Sequence, residues 1–225
     1  MSECELASHS TLFDGGQKST GSPSGGGEVD EDEDFQVSSV LQPHTQDVKF
    51  VTWHPSEELL VSCSYDYSIV FYKFDGEDWI TQQKIPEAHK GTVWCAAFDS
   101  EGHRLVTVGE DHIVQLWRRS SPQQSAVSDK WHSVAKLLVE DTRLPLYSVS
   151  WHAMTGLIAT GGGDGMIRIF QVDGKENEER LEQISVCDTD ANEIVSRNYR
   201  SVHAVGLARK GTAAVWAIGL DPKDQ

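Results

Sequence analysis

His89-Lys90-Gly91-Thr92-Val93-Trp94-Cys95-Ala96-Ala97-Phe98, followed by Thr107, Asp111 and Trp117, is the stretch on which the reading of this sequence turns. It joins a polar loop to an unbroken apolar run and then places a hydroxyl, an acid and an indole at fixed distances. Forty-five residues earlier the same landmarks stand as His44, Trp53, Ser62, Asp66 and Tyr72. Fifty-three residues later they stand as Trp151, Thr160, Asp164 and Phe170, with Thr142 where the histidine would fall. The hydroxyl residue lies four before the aspartate in all three copies. Such order repeated three times marks a repeat architecture, and a period of about 40–45 residues marks the blades of a β-propeller.

The strand signals agree. Runs rich in β-branched and aromatic residues cover 36–41, 48–53, 59–63 and 69–72 around the first copy. In the second they cover 79–85, 93–98, 104–108 and 113–118, and in the third 131–139, 147–151, 157–160 and 166–171. Each is bounded by polar turns, and no helical period intervenes. Near-continuous apolar runs fit sheets covered on both faces by neighbouring blades. The eight added residues of the third copy fall in the polar stretch 119–130, where a surface loop tolerates insertion. The expected fold is therefore all-β, with three clear blades.

Outside the repeats the composition changes. Residues 1–34 are Gly- and Ser-rich and end in an acidic run from Glu28 to Asp34, so a disordered segment is expected there. Residues 35–171 carry the blades. Residues 172–225 read as a divergent tail or an incomplete fourth blade, with strand signals at 180–186, 201–208 and 212–218. Met1-Ser2-Glu3-Cys4-Glu5 has neither a basic nor an apolar region, so no secretory signal is expected.

A net charge of -16 argues against nucleic acid or an anionic membrane as the main partner, because phosphate contacts need a basic patch. Cys4, Cys63, Cys95 and Cys187 form no C-x-x-C pair, and the histidines follow the repeats rather than clustering. No metal site, cofactor or small-molecule substrate is expected. A histidine, a hydroxyl and an aspartate in one repeat invite comparison with a hydrolase triad. The set occurs once per blade, however, and no G-x-S-x-G elbow is present. Gly161-Gly162-Gly163-Asp164-Gly165 lacks the G-K-[ST] ending of a phosphate loop. The chain is not expected to be an enzyme.

The His, Ser/Thr, Asp and Trp landmarks resemble those of WD-repeat blades. There a histidine meets a hydroxyl on the second strand and an aspartate in the next turn, and an indole on the third strand closes the chain. The resemblance makes structural tetrads of His44, Ser62, Asp66 and Tyr72, of His89, Thr107, Asp111 and Trp117, and of the partial set Thr160, Asp164 and Phe170. Asp164, with no histidine and no indole beside it, is expected to lack donors and to weaken its blade. The loops before each first strand and the turns after each second strand share one face in this family. That face contains Gln46, Asp47, Lys49, Tyr65, Tyr67, Lys90, Trp94, Glu110 and His112, the expected interaction residues.

Three further runs are more specific: 44–49 with 53–60, 62–66 with Asp78-Trp79, and 91–94 with 97–105. Over 28–171 they resemble the WD-repeat subunit of the cytosolic iron–sulfur cluster assembly targeting complex, a seven-bladed family. The resemblance implies a truncated form carrying middle and later blades. It also implies a non-catalytic adaptor that helps hand clusters to cytosolic and nuclear apoproteins. Its partners would be the other subunits of that complex and the client apoproteins, in the cytoplasm and also the nucleus. The alternatives are a generic WD-repeat adaptor, such as a ubiquitin-ligase substrate receptor, and a non-functional truncated product.

Overall fold

The computed structural model describes residues 4–7, 37–120, 129–175 and 178–188. It has the expected all-β architecture, and the described residues contain no helix. Three four-stranded antiparallel sheets succeed one another along the chain.

The first is β3 (Val48–Trp53), β4 (Leu59–Ser64), β5 (Ile69–Phe74) and β6 (Trp79–Ile85), paired in that order. The second is β7 (Val93–Phe98), β8 (Arg104–Gly109), β9 (Ile113–Arg119) and β10 (Trp131–Leu138). The third is β11 (Leu146–Trp151), β12 (Ile158–Gly162), β13 (Met166–Asp173) and β14 (Arg180–Asp188).

The sheets are therefore staggered against the sequence repeats. Trp79–Ile85, grouped by its spacing with the second repeat, completes the first sheet. The strand signal at 180–186, read as part of a divergent tail or an incomplete fourth blade, lies in Arg180–Asp188, which closes the third sheet. The reason is local. The Asp75 carboxylate accepts hydrogen bonds from the backbone of Glu77 (3.0 Å) and Asp78 (2.9 Å), folding a tight turn that leaves the next strand beside β5. The strand signals at 201–208 and 212–218 lie outside the described residues, as does most of the insertion at 119–130.

A separate compact unit spans Glu3–Gln42. In it β1 (Cys4–Ala7) pairs antiparallel with β2 (Val37–Leu41), with Cys4 opposite Leu41. Strand β1 falls within residues 1–34, and Val37–Leu41 presents the backbone groups that such an extended segment can pair. The rest of 1–34, with its acidic run, lies outside the described residues.

The core lies between the sheets. Val61, Ile69 and Phe71 of the first pack against Val93, Ala96 and Leu105 of the second, and Phe71 stacks on Trp131 at 4.9 Å between ring centroids. Val106, Val114 and Leu116 of the second pack against Val149, Ile158 and Phe170 of the third. His54 locks the first two sheets together. Its Nδ1 accepts the backbone N–H of Ser56 and Glu57, and its Nε2–H donates to the Gly102 carbonyl at 3.0 Å. Gly102 has a φ of +75°, and a Cβ there would come within 1.9 Å of His54 Nε2, so glycine is required.

Candidate interaction face

Each sheet presents its first-strand entry and its second turn on the same side, pinned by one repeated hydrogen bond. Tyr65 N donates to the Asp47 carbonyl, Glu110 N to the Thr92 carbonyl and Gly163 N to the Pro145 carbonyl, each at 2.9 Å. The tetrads support these turns from beneath.

In the second sheet the Thr107 hydroxyl meets His89 Nε2 (2.8 Å), His89 Nδ1 meets Asp111 (2.8 Å), and Trp117 Nε1–H donates to Thr107 Oγ1 (2.9 Å). Backbone N–H groups of Lys90 (2.8 Å) and Ile113 (3.3 Å) complete the aspartate's donors. Burial raises the Asp111 pKa, but the His89 hydrogen bond and these amides win and hold it below the usual range. In the first sheet His44 meets Ser62 (2.6 Å) and Asp66 (3.1 Å), while the Tyr72 hydroxyl lies 3.0 Å from Ser62 Oγ in the place of the indole. Burial lowers the His44 pKa. Asp66 is held far below its usual value because hydrogen bonds from Ser68 and Thr45 outweigh its burial.

The third sheet corrects an expectation. Asp164 does not lack donors: the Arg168 guanidinium reaches it at 2.6 and 3.2 Å, and Met166 N at 3.1 Å. Arg168 also binds Asp141 at 3.0 Å, and its side chain is only 1 % exposed. Burial raises the Asp164 pKa, but Arg168 and the Met166 amide, with a smaller contribution from Thr142 at the histidine position, hold it below the usual range. What blade three lacks is at the hydroxyl: the buried Thr160 Oγ1 has no partner among the described residues, because Phe170 carries no donor. Sequence comparison with the other copies missed Arg168, since Gln115 and Val70 hold its position there.

Above the tetrads lies the face itself. Lys49, Trp94 and Tyr147 occupy equivalent positions, and the strand register shifts at each: between Val48 and Phe50, Val93 and Cys95, and Leu146 and Ser148. A bulge re-aims a side chain out of the sheet's alternation. The three form a row, with Lys49 Nζ 5.9 Å from the Trp94 ring and Trp94 edge-to-face with Tyr147 at 5.1 Å. Tyr65, whose ring lies 5.2 Å from Lys49 Nζ, and Tyr67 are 43 % and 41 % exposed. Tyr67 and His112 sit in the left-handed region at φ 68° and 61°, where Gly165 stands in the third copy, a strained conformation for non-glycine residues. His112 Nδ1–H donates to the Leu144 carbonyl at 2.9 Å. Gln46, Asp47, Lys90 and Glu110 are exposed, and Glu110 accepts from the backbone N–H and hydroxyl of Thr92.

At another part of the blades, Arg104, Arg118, Arg119, Glu57, Asp99, Asp129 and Glu179 line a cleft of about 650 Å³. Its guanidiniums are committed internally: Arg118 to Glu179, Arg104 to Asp99, Arg119 to Glu57 and Asp129. Among the described residues no group of three or more His, Cys, Asp or Glu could hold a metal ion.

Comparison with known proteins fits this architecture. The model of the WD domain, G-beta repeat, matches residues 35–73, 80–118 and 137–171. A Caenorhabditis elegans protein described as a probable cytosolic iron-sulfur protein assembly protein CIAO1 homolog is 59 % identical over 73 % of this chain and 63 % of its own. An Ixodes scapularis protein of the same description is 36 % identical over 68 % of this chain and 47 % of its own. A Scheffersomyces stipitis protein, probable cytosolic iron-sulfur protein assembly protein 1, is 35 % identical over 72 % and 62 %. The chain thus spans about half to three-fifths of the length of these relatives. With three matched repeats, each forming most of one four-stranded sheet, the chain belongs to the WD-repeat family and is similar, within it, to proteins named for cytosolic iron–sulfur protein assembly.

Proposed function

We propose that this chain is a non-catalytic adaptor in cytosolic iron–sulfur protein assembly, helping to bring clusters to cytosolic and nuclear apoproteins. The observation that carries this reading is the 59 % identity to a relative named for that process. The half-buried row Lys49, Trp94 and Tyr147, with the exposed Tyr65 and Tyr67, supports an adaptor role, because Trp and Tyr are typical anchors for another protein. The partners are the other subunits of the targeting complex and client apoproteins, and the working compartment is the cytosol, with access to the nucleus.

The test is affinity capture of the tagged 225-residue chain from cells of its own source, read by mass spectrometry. Recovery of iron–sulfur assembly subunits, lost on Trp94→Ala, supports the proposal. Recovery of ubiquitin-ligase subunits instead would replace it with the generic adaptor. Recovery of chaperones alone would mean that this length of chain does not act as an adaptor.

A further inference from the structure

The row on the interaction face contains a cation already held in aromatic surroundings. Lys49 Nζ lies 5.2 Å from the Tyr65 ring centroid and 5.9 Å from that of Trp94. The Asp47 carboxylate is 3.2 Å from the same ammonium, and the Lys49 side chain is 24 % exposed. Two ring faces and a carboxylate around one position are the chemistry that recognises an ammonium or guanidinium group.

We propose that Tyr65, Trp94 and Asp47 form a binding site for a lysine or arginine side chain of a partner protein, and that Lys49 is a built-in placeholder that the incoming cation displaces. The site deepens the adaptor reading and rests on that face being an interaction surface. Four observations carry it. Equivalent positions in the other two blades hold Trp94 and Tyr147, so of the three only the first blade's fills its own aromatic site with a charge. A partly exposed lysine on a flexible four-carbon stem leaves more readily than a packed aromatic would. The chain carries a net charge of -16, which favours and steers a basic partner. The Trp94 indole N–H, buried and without an acceptor among the described residues, is a donor that a carbonyl of the incoming segment would satisfy.

The experiment monitors the Trp94 indole N–H by NMR in the 225-residue chain. Nα-acetyl-lysine amide is titrated against its neutral counterpart, Nα-acetyl-norleucine amide. In wild type the lysine probe competes with Lys49. In Lys49→Ala it should saturate the Trp94 signal at about tenfold lower concentration, the worth of a partly desolvated cation–π contact. The norleucine probe should not saturate, and Lys49→Ala with Tyr65→Ala should abolish the gain. Equal responses to the two probes, or no gain on removing Lys49, would overturn the site. Should Lys49→Ala lose its dispersed spectrum, Lys49→Met, which keeps the stem, serves with the same expectations. Capture of assembly partners by a chain that fails this titration would sink the cation site and leave the adaptor reading standing. Failed capture with a positive titration would do the reverse.

Discussion

At the scale of single residues, the three blades solve one problem in three ways: how to keep a turn aspartate charged while it is largely withdrawn from water. Asp111 uses a histidine, Asp66 uses a histidine and a serine, and Asp164 uses Arg168. Removing one partner of a buried ion pair strands the other, at a cost of about 3–5 kcal/mol. Asp164→Ala, which leaves the 1 %-exposed Arg168 side chain with Asp141 alone, should therefore destabilise the chain about as much as Asp111→Ala. Urea unfolding of the two variants measures this, and a loss under about 1 kcal/mol for Asp164→Ala would mean that Arg168 is not holding the blade. Tyr72→Phe removes one hydroxyl, 3.0 Å from Ser62, and should cost about 1 kcal/mol in the same assay. Spacing from the second copy was enough to locate His89, Thr107, Asp111 and Trp117, since the four-residue step from hydroxyl to aspartate is a local feature. Arg168 was not legible, because which of several nearby polar residues reaches Asp164 depends on how the strands pair.

At the scale of elements, the outer strand of the third sheet is fastened by charge as well as by its ladder. Glu179, just before β14, has a side chain 2 % exposed and accepts Arg118 Nη2 at 2.6 Å and Nε at 3.0 Å. Glu179→Ala leaves two strands of the second sheet with guanidiniums deprived of that carboxylate, since Arg104 also lies 3.6 Å from it. The expected cost is about 3 kcal/mol. Hydrogen exchange should show protection lost at 180–188 before the rest of the third sheet, and uniform protection across that sheet would refute the fastening. Gly102→Ala should be similarly damaging, by about 2 kcal/mol in thermal unfolding, because it meets His54 and forces a side chain into a left-handed turn. The strands themselves were legible from their β-rich runs, but their assignment to sheets was not. Trp79–Ile85 belongs with the strand before it because the turn at Asp75 delivers it there, while repeat spacing groups it with the strand after it; Arg180–Asp188 likewise pairs with the strand before it.

At the scale of the whole molecule, stability should depend on pH through two kinds of group. Burial lowers the pKa of His44 and of His54, so the folded chain prefers both neutral. For such groups the unfolded state binds protons first as pH falls. The stabilisation is complete above about 6.5, the unfolded value, and is lost as pH drops through the folded values. Asp66, Asp111 and Asp164, all held below the ordinary carboxylate value, add stability that disappears only under stronger acid, below about pH 4. The Tm should therefore be flat from about pH 8 to 7, decline from about pH 6.5, and fall more steeply below about 4. A Tm unchanged between about pH 7 and 5 would show that the two histidines are not buried as described.

The all-β class, the three-fold repetition and the histidine-bearing tetrads could be read from the amino-acid order alone, because each depends on residues close together in the chain or at a fixed period. Folding in three dimensions settles which strand joins which sheet, that Arg168 takes over the missing histidine's work, and that Lys49 lies close to both Tyr65 and Trp94. Those depend on turn direction, on bulges that re-aim single side chains, and on the packing of one sheet against the next. Such contacts join residues far apart in the chain, where composition and spacing leave several partners equally available.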